Sequence, residues 1–243
     1  MKHTHHDKPS GFSLVETVIA IGVLAVMLTG FMIVFAPAAA GIRKSINSQD
    51  AIRLVNTLEQ ELVTLRGAES VAYSTGFHKA FTFIKDSNGS GANPDNAVLV
   101  YKYRASLTAT RPGDGTPEPV TSAAGKLPGV DYAVQCMMRR KGDPEFFADL
   151  PATEGPVYLV KCTQLILGDS DKLELATAGQ IANASTPTVA VADVDNYAHG
   201  VITFVADFYD LPSKGVGFFT SQFGNFYQNA QKPMFSRSLG VRR

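Results

Sequence analysis

With 243 residues, 45% of them hydrophobic, the chain can form one sizeable domain plus a membrane segment, or two small domains. Its 22 Lys and Arg balance 22 Asp and Glu, and no basic cluster stands out, which argues against a nucleic-acid partner held by charge. Two cysteines, without a Cys-x-x-Cys or Cys/His pattern, give no zinc site of the common kinds.

In chain order, a short polar stretch, Met1–Gly11, runs into an apolar segment from Phe12 to Ala36. As a helix that segment would extend about 37 Å, enough to cross a hydrocarbon core roughly 30 Å thick. A secretory signal would carry a shorter apolar region, about 7–15 residues. Ala38-Ala39-Ala40 offers such a signal a cut site, so that alternative stays open. Glu16 lies inside the apolar run. An ionised side chain at mid-membrane costs about 2.5–3.5 kcal/mol and usually has a partner or a function. No Lys, Arg or His lies between Phe12 and Ile42. Glu16 therefore either sits at the wet headgroup level or meets a cation from elsewhere. A free α-amine on Phe12, created by a cut after Gly11, would be such a cation one helical turn away.

The stretch KPSGFSLVETVIAIGVLA resembles the N-terminal signal of type IV prepilins and type II secretion pseudopilins. The resemblance covers about Lys8–Ala36. It implies that Met1–Gly11 is a leader, cut after Gly11 by a prepilin peptidase at the bacterial inner membrane. It implies that Phe12 becomes the N-methylated terminus and that Glu16 is the assembly carboxylate, pairing with the amine of a neighbouring subunit. The implied partners are the peptidase, other pilin or pseudopilin subunits and the inner membrane. The implied fold is pilin-like α+β, a long N-terminal helix packed on an antiparallel sheet. The divisions are then 1–11 leader, 12–36 transmembrane and assembly helix, 37–67 amphipathic helix, and 68–243 extracytoplasmic β-rich domain, held on the single-pass anchor. Chain length and Gly/Pro-rich loops point to a minor subunit. The alternative is a monomeric, membrane-anchored binding protein.

Beyond the span, Pro37 is expected to kink or interrupt the helix. Ile42, Ile46, Ile52, Val55, Leu58, Leu62 and Leu65 then recur on one helical face, and Gly67 reads as the stop. Five runs read as strands: Ala80–Ile84, Ala97–Leu107, Tyr132–Arg139, Val157–Leu167 and Val201–Leu211. Asp86–Asp95 and Arg111–Pro119 read as exposed loops. A helix followed by strands gives an α+β layer rather than βαβ repeats.

Catalytic machinery is not visible. After the leader the histidines are His78 and His199, each isolated, and no G-x-S-x-G, H-E-x-x-H or P-loop occurs, so neither an enzyme nor a cofactor is expected. Asp86–Gly91 begins like a calcium loop, but Ala97 stands where the bidentate Glu is needed. It reads as a turn, and no metal site is assigned. Cys136 and Cys162 lie in predicted strands that could pair. Outside the cytoplasm a disulfide between them is expected, worth roughly 3.5 kcal/mol, with two free thiols as the alternative. The aromatic tail Gly215–Tyr227 reads as packing material, with a partner surface left open. FAPAAAGIRKS and FSRSLGVRR also resemble the pilin-like group called Verru_Chthon cassette protein B.

Overall fold

The computed structural model describes residues 13–67, 69–168 and 172–243. The leader, Gly11 and Phe12 lie outside them. The chain divides into two units, Met1–Asn47 and Ser48–Arg243.

Helix α1 runs Leu14–Val63. In the first unit it is uninterrupted at Pro37, contrary to a break there. Its described apolar side chains from Leu14 to Phe35 are exposed, and this is one helix long and apolar enough to cross a membrane. In the second unit the last turns of α1 bury Leu54, Val55, Leu58 and Leu62. Leu54 was not on the predicted face, while the predicted Leu65 is only half-buried. Burying a leucine side chain contributes about 1.5–3 kcal/mol, so this stripe anchors the end of the helix firmly.

The chain leaves α1 through Gly67, whose φ of +48° suits glycine. A Cβ there would lie 2.0 Å from the Gly113 carbonyl oxygen, so the turn is pressed against the Arg111–Pro117 loop. Helix α2 (Glu69–Ala72) and helix α3 (Gly76–Asp86) follow. Ala80–Ile84, expected as a strand, lies within α3. Thr75 caps it, its hydroxyl oxygen accepting from the His78 amide at 3.1 Å. Phe77, Ala80, Phe81 and Ile84 recur at helical spacing and are buried.

The strands are β1 (Val98–Thr110), β2 (Pro117–Pro119), β3 (Tyr132–Arg140), β4 (Thr153–Leu167), β5 (Leu173–Leu175), β6 (Ala182–Asn183), β7 (Thr186–Ala190), β8 (Val201–Asp210) and β9 (Phe235–Arg242). Residues 98–103 of β1 face β3 on one side and β4 on the other, so the main sheet runs β3-β1-β4-β8-β9, antiparallel throughout. The strand β9 was not anticipated. The architecture is α+β.

Strand alternation gives the sheet two buried faces. Val98, Val100, Val160, Phe204 and Phe208 pack with α3 and the end of α1. Leu99, Tyr101, Tyr103 and Leu159 point to the other side. There the aromatic tail covers them: a π-helix (Phe218–Gln222) and a short helix placing Phe219, Phe223 and Tyr227 against the sheet. Helix α4 (Pro144–Asp149) adds Phe146, which meets Phe219 edge to face at 4.8 Å.

Candidate functional site

Glu16 sits in the first turn of α1, exposed along with the apolar residues around it. It does have a local partner: the Ser13 backbone N–H donates to its Oε2 at 3.4 Å. Ser-x-x-Glu is the spacing of a capping box, in which the third helical residue reaches back to the capping residue's amide. The donor is a backbone amide, not the charged side chain that an acid in an apolar run suggests. The bond is long, and it leaves the other carboxylate oxygen for a second donor.

The second unit carries a cluster of charges built by elements far apart in sequence. Asp149, at the end of α4, is fully buried. Its Oδ2 accepts from the Tyr101 hydroxyl at 2.5 Å and from Arg139 Nε at 3.2 Å. Its Oδ1 accepts from Arg111 Nη2 at 2.5 Å. Arg139 also donates to Asp114 at 2.6 Å, to Thr116 and to Asp143. Burial alone would lower the Arg139 pKa, but Tyr101, then Asp114, Asp143 and Asp149, raise it well above its ordinary value. Burial likewise pushes the Tyr101 hydroxyl far up, with Asp149 adding to it. Burial opposes the charge of Asp114 too, yet the Thr116 hydroxyl and amide, and then Arg139, hold its carboxyl down at about 2. The Arg111–Pro119 stretch, expected as an exposed loop, is exposed at Pro112, Gly113, Gly115 and Glu118, but it turns Arg111, Asp114 and the buried Thr116 into this cluster.

Beside this cluster a cleft of about 630 Å³ opens between the Glu61–Tyr73 segment, the end of β3 and the Asp143–Glu145 corner. Arg66 grips Glu61 with two hydrogen bonds, at 2.5 and 2.9 Å. Lys79, 2% exposed, donates to Glu69 at 2.8 Å and to the Thr64 carbonyl at 2.7 Å. Burial lowers its pKa, and the Glu69 bond works against that. None of these residues was picked out from sequence. The Asp143-Pro144 pair was the available signal, because it marks a helix start and so a fixed corner.

The expected Cys136–Cys162 disulfide is absent; both thiols are free. Cys136 on β3 stands opposite Lys102 of β1, while Cys162 on β4 stands opposite Ala206 of β8. With β1 between them, the two strands are about 9–10 Å apart, beyond the roughly 7 Å that a disulfide spans. Burial pushes the Cys162 thiol up to about 12. Among the described residues, no group of three His, Cys, Asp or Glu could hold a metal ion. No family model, curated protein or solved structure matches this chain.

Proposed function

We propose that this chain is a minor pilin or pseudopilin, a filament subunit processed by prepilin peptidase at the bacterial inner membrane. The observation that carries the reading is a lone carboxylate, Glu16, in the first turn of an exposed apolar helix, five positions from the Gly11-Phe12 junction. Exposed apolar side chains of this density need lipid or neighbouring helices around them. The Ser13 amide offsets part of the cost of Glu16 and leaves one oxygen for a neighbour's α-amine. In support, the antiparallel sheet of the second unit packs one face against the end of α1, as the pilin-like arrangement requires. The globular unit would stand in the periplasm or on the filament surface.

The test is the mature terminus and its consequence. Intact mass should begin at methylated Phe12. Glu16→Ala should leave insertion and cleavage unchanged and reduce co-purification with other subunits. A terminus near Gly41, or unchanged co-purification, overturns the reading. The cleft of the second unit favours a second reading, a monomeric anchored binding protein, which predicts that Glu16→Ala has no effect on partners.

A further inference from the structure

Strand β3 pairs with β1 alone among the described residues, so its outer edge carries backbone donors and acceptors without a strand beside them. That edge is not open to bulk water along its whole length. Met137 to Arg140 line the cleft, together with Glu69, Tyr73, Asp143 and Glu145. Its volume of about 630 Å³ falls within the roughly 300–1,000 Å³ of ligand clefts.

The charge on the lining is uneven. Carboxylates outnumber cations six to four. Each of the four cations is already in an ion pair. Glu145 is the one carboxylate of the six without an ion pair among the described residues. Instead, hydrogen bonding with Asp143, and burial after it, raise its pKa, against an opposing pull from the more distant charge of Arg139. The lining also includes a donor in need of an acceptor: Arg140 Nε is buried, with no hydrogen-bond partner among the described residues. The Arg140 guanidinium stacks over Phe83 at 4.0 Å, which fixes it in place.

We propose that this cleft receives an extended segment of another protein bearing a lysine or arginine, added to the β3 edge as a further strand. The segment's backbone would pair with β3, one of its carbonyls would accept from Arg140 Nε, and its cation would meet Glu145. A free amine satisfies only the last of these three. An acidic segment satisfies the first two and is repelled by the third. Backbone pairing gives such a site affinity, and the side-chain wall gives it selectivity. The inference is independent of the filament reading, since it concerns only the second unit.

The experiment uses the full chain in detergent micelles and a fluorescent, short, alternating valine–lysine peptide, followed by anisotropy. The peptide should bind, and its affinity should fall as salt is raised. A valine–glutamate twin should bind at least about tenfold more weakly. Glu145→Gln, which keeps the shape of the side chain, should weaken binding about tenfold, the loss expected for one charge-assisted hydrogen bond. Methylating alternate backbone amides of the peptide should abolish binding. On the unmutated chain, the peptide should slow hydrogen exchange at Met137–Arg140. The proposal falls if both peptides bind equally or the valine–lysine peptide does not bind. It also falls if Glu145→Gln changes nothing or β3 exchange is unaffected by bound peptide. Comparable binding of n-butylamine would overturn it in favour of a plain amine site.

Discussion

Asp149→Asn should unfold the second unit far more readily than its single changed atom suggests. Asp149 has no exposed surface and accepts three hydrogen bonds, two of them from guanidinium groups. Asparagine keeps one acceptor oxygen and turns an N–H toward donors, so at least one of Tyr101, Arg111 and Arg139 loses its acceptor. An unsatisfied buried group costs about 1–3 kcal/mol. The charge matters as well. Arg139 keeps Asp114 and Asp143, but Arg111, 11% exposed, retains among the described residues only the Thr116 hydroxyl at 3.3 Å. Breaking a buried ion pair from one side costs about 3–5 kcal/mol. Because Arg139 remains paired, the low end applies, so the expected loss is about 3 kcal/mol. Against a typical total of 5–15 kcal/mol this is a large fraction. The chain has no tryptophan, and its eight tyrosines all lie beyond Ser48, so tyrosine fluorescence in urea reports the second unit. A loss under about 1 kcal/mol would show that Asp149 does not hold this corner together.

Gly76→Ala should destabilise by about 3 kcal/mol in the same assay, because its Cβ would stand 2.0 Å from the Val63 carbonyl oxygen and only backbone could give way; unchanged stability would mean that the close approach of α3 to the end of α1 is not required. Asp114 is held at about 2 in the folded state against 3.8 unfolded, so its stabilisation is complete above about 3.8 and is lost as pH falls toward 2. Asp114→Asn should remove about 2 kcal/mol at neutral pH and flatten that acid limb, and an unaltered limb would contradict the assignment. Alkylation of the native protein should label Cys136 and spare the fully buried Cys162, and non-reducing peptide mapping should find no bridge between them; a Cys136–Cys162 peptide would refute the strand order.

The strands most legible in the sequence were those with long β-branched and aromatic runs. Tyr132–Arg139, Val157–Leu167 and Val201–Leu211 each sit within a strand to a few residues. Ala80–Ile84 was misread because AFTFI satisfies both periods over so short a stretch; the Thr75 cap and the helical repeat from Phe77 decide it. The strand β9 escaped because FSRSLGVR is polar on its exposed side and contains a glycine, so it takes its structure from pairing with β8. The charged cluster was illegible for a related reason. Arg111, Asp114, Arg139 and Asp149 are separated by up to 38 residues, and each alone looks like a solvated surface residue. Only the sheet order brings them together, and no local pattern encodes it. The disulfide expectation failed on the same point: spacing made two strands look adjacent, and β1, earlier in the chain, lies between them.

Glu16 illustrates the opposite limit, where a local pattern carries two meanings at once. Ser13 and Glu16 stand at capping-box spacing, and the Ser13 amide does donate to the carboxylate. A cap alone would explain an acid in the first turn, where the helix dipole also favours it. It does not explain an acid embedded in exposed apolar side chains, where a serine or threonine cap without glutamate would avoid the charge. At 3.4 Å the amide contact is near the limit of a hydrogen bond, too weak to neutralise a carboxylate in lipid by itself. On the proposed reading the two roles are sequential. The Ser13 amide orients the carboxylate at the head of the helix while the subunit waits in the membrane, and an incoming α-amine completes its neutralisation. The weakness of the local bond is then what leaves Glu16 available, and a stronger local partner within the helix would reduce the drive to assemble.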